Sequence, residues 1–292
     1  MKLFVIRFIM RVLSWVTPGA AEYLAPPVAA ILWYLSPRKR RVTRLNLRAV
    51  YPEMDAKQRG KIGRASMTHY VRGVFEAGML WYWPMDKIAR CFEEIRGLTY
   101  LEEALGSGKG IIVAAPHSGA WEMLNLFMYQ YGPAILYKPG RHVDINQMLL
   151  EKRSRSGAQM IPANASGIRS MFKVLKAGQL VALLPDQEPT GGEGQFAPFF
   201  GVETLTGVLL PRLARRTEAT VLFSVCERRK GGKYRVHFFK ADEAICAADT
   251  RIAATAVNRG IEECIGVDTN QYLWAYKRFR NRPLGEKPFY KR

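Results

Sequence analysis

Gly110-Ile111-Ile112-Val113-Ala114-Ala115-Pro116-His117-Ser118-Gly119-Ala120-Trp121-Glu122 decides how this chain is read. An apolar run ends in proline, and a histidine follows immediately. A second apolar run, Met123-Leu124-Asn125-Leu126-Phe127, begins directly after Glu122. The pattern predicts a buried strand over Ile111–Ala115, a turn carrying His117, and a helix from Trp121. Residues five apart on an ideal helix point about 140° apart, so His117 and Glu122 do not share a face if both are mid-helix. With His117 in the turn, its side chain can fold back toward Glu122, and Gly119 eases such a turn. A histidine beside a carboxylate is equipped to act as a general base. The same residues also fit an ordinary helix start.

Pro185-Asp186 repeats this logic. Leu180 to Leu184 is apolar, ends in proline, and is followed by a carboxylate and Gln187. Ligands of open α/β sheets bind at the carboxyl ends of strands, so Asp186 and His117 are expected at one edge. The glycines of Thr190-Gly191-Gly192-Glu193-Gly194 suit a loop over a substrate but match neither a Walker loop nor a dinucleotide fingerprint. Phe196-Ala197-Pro198-Phe199-Phe200-Gly201 suits an acyl-chain channel or plain core.

Around these stretches, strands and helices alternate. Strands are expected at Ala134–Tyr137, Leu180–Leu184, Thr220–Cys226 and Tyr234–Phe239. Helices are expected at Asp144–Arg153, Ile168–Lys176, Thr204–Arg216, Arg251–Ile265 and Gln271–Phe279. The fold class is therefore α/β: a mixed, largely buried sheet flanked by helices, preceded by an N-terminal hydrophobic helical segment. Residues 1–50 read as a membrane anchor with a basic juxtamembrane segment, and residues 51–292 as the catalytic domain. Asp55 is a plausible N-cap for the first helix of that domain.

The anchor reading rests on charge and apolarity together. Leu3 to Val16 is apolar but carries Arg7 and Arg11 on one face, as an interfacial amphipathic helix does. Tyr23 to Leu35 contains Pro26 and Pro27, and neither run reaches the roughly 20 uninterrupted apolar residues of a spanning helix. Arg38-Lys39-Arg40-Arg41 follows and suits the anionic cytoplasmic leaflet. Trp81-Tyr82-Trp83-Pro84 fits lipid headgroups and core equally well.

The chain is 292 residues long and 48% hydrophobic, enough for a sizeable core, and its formal net charge is +19. So basic a chain favours nucleic acid, an anionic membrane or an acidic protein. No zinc-finger spacing or RNA-recognition signature accompanies the charge, so nucleic acid is not expected as a partner. Cys91, Cys226, Cys246 and Cys264 lack metal or redox spacing, and Cys226 reads as a buried small hydrophobe. His69, His117, His142 and His237 are scattered, with no H-E-x-x-H motif, and no G-x-S-x-G elbow is present. Zinc and serine-nucleophile chemistries are thereby disfavoured. Lys138, in Tyr137-Lys138-Pro139-Gly140-Arg141-His142, and the stretch Lys152-Arg153-Ser154-Arg155-Ser156 are candidate phosphate contacts or a basic helix end.

Taken in order, these segments resemble the late lipid A acyltransferases, the lauroyl and myristoyl transferases of Gram-negative bacteria, within the glycerolipid acyltransferase superfamily. That superfamily is marked by a histidine and an acid with four residues between them (the HX4E motif), here His117 and Glu122. Arg44-Leu45-Asn46-Leu47 with Tyr51-Pro52-Glu53-Met54, Phe75-Glu76-Ala77-Gly78-Met79, Tyr137-Lys138-Pro139, Pro185-Asp186, Pro198-Phe199-Phe200-Gly201 and Tyr272-Leu273-Trp274 through Arg282-Pro283 extend the similarity over nearly the whole chain.

The resemblance implies transfer of a fatty acyl group from acyl carrier protein to a hydroxyl of a lipid A precursor. It implies action at the cytoplasmic face of the inner membrane, against anionic lipids, with no cofactor and no metal. His117, Glu122, Arg153 and Asp186 match the catalytic positions, with Arg155 a close competitor of Arg153. Lys138, Arg155 and Gln187 are expected to bind substrate. Gln187-Glu188-Pro189 departs from the aspartate-histidine form of enteric members, which bears on acceptor or chain preference. Within this reading Glu122 orients the His117 imidazole. The rival expectations are an acyltransferase with another lipid or glycolipid acceptor, and a non-enzymatic basic membrane-binding protein.

Overall fold

The computed structural model describes residues 2–140, 143–155, 157–189 and 193–291. Arg141, His142, Ser156 and the loop residues Thr190-Gly191-Gly192, singled out above, lie outside the described residues.

A seven-stranded sheet carries the fold. Its strands are β1 (Phe92–Arg96), β2 (Ile111–Ala114), β3 (Ala134–Tyr137), β4 (Gln159–Pro162), β5 (Leu180–Leu183), β8 (Thr220–Arg228) and β9 (Tyr234–Lys240), in the spatial order β1-β9-β8-β2-β5-β3-β4. Only β8 and β9 pair antiparallel; the other neighbours are parallel. All four β2 residues are buried, as expected of a parallel strand covered on both faces. Ile112 and Ala114 face one core with helices α9 (Ala165–Lys176), α10 (Leu209–Thr217) and α11 (Thr250–Val267). Ile111, Val113 and Ala115 face a second core with α6 (Leu98–Gly106) and α7 (Trp121–Met128).

The first helices pack on one another around the fourth. They are α1 (Lys2–Leu13), α2 (Pro18–Leu35), α3 (Pro37–Val50), α4 (Ala56–Tyr82) and the short α5 (Met85–Ala89). Ala25, Ala29 and Trp33 of α2 pack on Met67 and Val71 of α4. The α1 C-terminus meets α4 at Gly78, where a Cβ would lie 2.4 Å from the Leu13 carbonyl carbon. Trp83 Nε1 donates to Ser14 O at 2.7 Å across the same contact. Asp55 caps α4 with a reciprocal box to Gln58, as its position predicts. Glu76, on α4, pairs with Arg228 of β8 at 2.6 Å, both fully buried, and accepts from the Tyr234 hydroxyl. Burial alone would raise the Glu76 pKa, but Arg228 and Arg72 outweigh it and hold it below the ordinary value.

No single helix among the described residues is long and apolar enough to cross a membrane. Leu3–Leu13 and Pro18–Leu35 have the composition together, but they are bent by 115° to one another. Phe4 and Phe8 of α1, Trp15 of the turn between the two helices, and Tyr23, Tyr34 and Leu35 of α2 are exposed.

Two sequence expectations are corrected. Thr204–Arg216 is not one helix: β6 (Gly194–Phe199) and β7 (Val202–Gly207) form an antiparallel hairpin, and α10 begins only at Leu209. Thr204 and Thr206 are fully buried, and Thr206 hydrogen-bonds Asn258 of α11. The hairpin also settles Ala197 and Phe199 as core. Gln271–Phe279 is not a helix either. After a short 3-10 turn over Thr269–Gln271, its backbone bonds other segments: Leu273 N donates to His117 O, and Asn46 Nδ2 donates to the Trp274 and Tyr276 carbonyls. Tyr272, Trp274 and Phe279 are buried, not presented to a surface. The Trp81–Pro84 stretch divides: Trp83 is core, whereas Tyr82 lies under Arg11 and Lys152.

Candidate active site

His117 and Asp186 meet because β2 and β5 are in parallel register. Ala114 pairs with Leu183, and the same separation of 69 residues carries on to His117 and Asp186. Pro116 and Pro185 end their strands at one level, so the residue after each proline projects from the same sheet edge.

The His117 loop is pinned on every side. Ala120 N donates to Cys226 O at 2.7 Å, Gly119 N to Gln271 O at 3.1 Å, and Ser118 N to Pro116 O at 2.7 Å. Gly119 sits at φ +59, with Cys226 O 2.1 Å from where a Cβ would be. Only glycine fits there. The backbone amides of residues 117 to 120 are therefore all engaged within the protein and cannot double as oxyanion donors.

Asp186 holds His117 at two atoms. Its Oδ2 accepts the His117 backbone N–H at 2.9 Å, and its Oδ1 lies 2.7 Å from Nδ1. Asp186 is itself buried. Burial opposes charge on both partners. On His117 the Asp186 carboxylate, with a smaller contribution from Glu122, more than offsets it and raises the pKa above the ordinary value. On Asp186 the imidazole charge and the two hydrogen bonds win, and the pKa is lowered. With Nδ1 donating to Asp186, the lone pair sits on Nε2. The Gln187 amide nitrogen is 3.2 Å from Nε2 and donates to it in that tautomer.

Here the structure departs from the sequence reading. The carboxylate bonded to the imidazole is Asp186, whereas Glu122 pairs with Arg153. The Arg153 guanidinium reaches both Glu122 oxygens from α8 (Val143–Ser154). Glu122 opens α7, where the helix dipole also favours a negative charge. Arg153 and Arg155 are likewise separated. Arg155 points away and donates to the Trp81 and Trp83 carbonyls, closing the C-terminus of α4. It is a brace for the fold and does not line the cleft.

The cleft itself holds about 300 Å³. His117, Glu122, Arg153, Lys138 and Gln187 are among its polar lining residues. Val113, Ala115, Ala182, Ile135 and Met160 from the sheet, with Leu124 and Met128 of α7, give it an apolar floor. Sequence reasoning missed these floor residues. Their signal was the every-second residue of strands buried on both faces, which alternation cannot distinguish from core.

A histidine oriented by a buried carboxylate and lining an apolar cleft is equipped to take a proton from a nucleophile brought there. The family model of the bacterial lipid A biosynthesis acyltransferases matches residues 2–281, and the chain belongs to that family. It is similar to the lipid A biosynthesis lauroyltransferase of Escherichia coli (strain K12), 29% identical over 256 residues, 85% of this chain and 81% of that one. The palmitoleoyltransferase of the same organism is 28% identical over 271 residues, 92% of this chain and 87% of that one. A phosphatidylinositol mannoside acyltransferase of Mycobacterium tuberculosis (strain CDC 1551 / Oshkosh) is 31% identical over 150 residues, 48% of this chain and 46% of that one.

Proposed function

We propose that this acyltransferase moves a fatty acyl group from an acyl carrier protein thioester to a free hydroxyl of a lipid A precursor. The observation that carries the reading is His117, tied to Asp186 through Nδ1 and lining the apolar cleft, with its Nε2 held by the Gln187 amide that an acceptor hydroxyl would displace. In the reaction, Nε2 takes the acceptor hydroxyl proton as that oxygen attacks the thioester carbonyl. The carbon–sulfur bond then breaks, and the leaving thiolate receives the proton from the imidazolium. The products are an ester and the carrier thiol, with no acyl-enzyme. Asp186 fixes the tautomer and stabilises the imidazolium, as the acid does in a hydrolase triad.

With the amides of residues 117 to 120 engaged, Arg153 and Gln187 of the cleft wall are assigned to meet the developing oxyanion. Arg153 is held against the cleft by Glu122, so its charge is preorganised for that task. Lys138 stands at the cleft for an acceptor phosphate.

Residues 1–50 serve as the membrane anchor and residues 51–292 as the catalytic domain in this reading. The exposed apolar faces of α1 and α2 lie in the lipid interface of the inner membrane, on its cytoplasmic side, and the basic start of α3 meets anionic headgroups. The remaining positive charge steers the acidic carrier protein. A second acceptor, a mannosylated phosphoinositide, is favoured only by the half-length similarity to the mycobacterial enzyme.

Purified protein given acyl carrier protein thioesters and each acceptor, read by mass spectrometry, separates these readings. The lipid A precursor is expected to gain the mass of one acyl group. Acylation of the phosphoinositide mannoside alone, or of neither, counts against the proposal.

A further inference from the structure

Resting on that reading, we propose that a second apolar cavity, separate from the cleft over the sheet, holds an acyl chain of the acceptor lipid. This cavity holds about 380 Å³ and lies among α1, α4, α7 and α8. Ile6 and Met10 of α1, Val74 and Ala77 of α4, and Ile145 and Leu149 of α8 give it an almost wholly apolar wall. Trp121, Glu122, Asn125 and Arg153 line both this cavity and the His117 cleft. The Glu122–Arg153 ion pair is thus a polar partition between two hydrocarbon-sized spaces, with His117 on one side only.

Their surroundings assign the two chains. The His117 cleft is walled by sheet strands and α7, and a thioester carried by a soluble protein places its chain there beside the base. The second cavity has α1 as one wall, and the opposite face of α1 exposes Phe4 and Phe8. An exposed apolar helix is where this chain meets lipid. An acceptor already seated in a bilayer therefore reaches the second cavity without bringing its chain through water. Lys152 and Arg153 stand among its lining residues, a charge match for a phosphorylated headgroup. The occupant is an acyl chain of a phosphorylated glycolipid, which brings its hydroxyl past the Glu122–Arg153 partition to Nε2 of His117.

The test narrows one cavity at a time. Ala77→Trp and Val74→Trp fill the second cavity from α4; Val74 is half-exposed, so the second variant keeps its fold if the first does not. Ile135→Trp fills the cleft. Steady-state transfer is measured with each substrate varied in turn, with thermal melts confirming folding. The α4 variants are expected to raise the acceptor KM roughly tenfold and leave the donor KM within about twofold, and Ile135→Trp to do the reverse. An unchanged acceptor KM in a folded α4 variant, or a raised donor KM, overturns the proposal.

A phosphorylated glycolipid with a diazirine in its hydroxyacyl chain supplies a readout independent of turnover. Labelling is expected on α1, α4 or α8. Labelling of β2 or β5, or none, overturns the inference even where transfer is intact. Conversely, a wild-type protein labelled on these helices that acylates no acceptor refutes the transferase reading and leaves the lipid site standing.

Discussion

Asp186 accepts both the backbone N–H and the ring Nδ1 of His117, at 2.9 and 2.7 Å, so one carboxylate sets the position and the tautomer of the base. Because it raises the His117 pKa, removing its charge has a signed consequence. The free base is the active form, so kcat/KM rises with pH through the His117 pKa. Asp186→Asn is expected to lower the plateau by about 10²–10⁴ and to move that rise to lower pH. A pH–rate profile checks both; a rise that stays in place shows that Asp186 does not govern this proton.

Glu122 and Arg153 act as a pair. Glu122→Gln and Arg153→Gln are each expected to lower kcat by about 10²–10³, the usual effect of losing an oxyanion donor. The double variant is expected to lose little more than either single one, because each change already breaks the same contact. A double-mutant cycle on kcat measures this, and fully additive losses mean that the two residues act separately.

Arg155 has a different task from its neighbour two residues away. Its bonds to the Trp81 and Trp83 carbonyls predict that Arg155→Ala destabilises the protein by about 1–3 kcal/mol, seen as a lower midpoint in thermal or urea unfolding. The acceptor KM is expected to stay near wild type at temperatures where the variant is folded. A raised acceptor KM with unchanged stability gives Arg155 the substrate role instead.

The exposed face of α1 and α2 predicts membrane association through apolar contact with electrostatic support. Phe8→Asp with Trp15→Asp is expected to release the protein from anionic vesicles in a flotation assay, and high salt to weaken wild-type binding only in part. Complete release by salt alone assigns the binding to charge.

Much of this site was legible because its two halves are written alike. An apolar strand, a proline and a functional side chain occur at Ala114-Ala115-Pro116-His117 and again at Leu183-Leu184-Pro185-Asp186, and parallel pairing brings such endings together. The partner of each carboxylate was not legible. Glu122 is five residues from His117, yet it bonds an arginine 31 residues away, whereas the 69-residue contact of Asp186 depends on strand register. The β7 strand was missed because Thr204 and Thr206 look polar in sequence, whereas burial with Asn258 makes them interior. The Tyr272 segment was misread because aromatic and basic residues recur at helical spacing, while its backbone partners are Asn46, His117 and Ser66, far away in the chain. Glu76 holds α4 to β8 through Arg228, a partner 152 residues away that its local sequence does not announce.

The most direct test of the account is single-turnover transfer by His117→Ala, with carrier thioester and lipid A precursor both saturating and the product followed by mass spectrometry. The account predicts that donor and acceptor still bind and that ester formation falls by about 10²–10⁴. Ester formation at a near wild-type rate contradicts it.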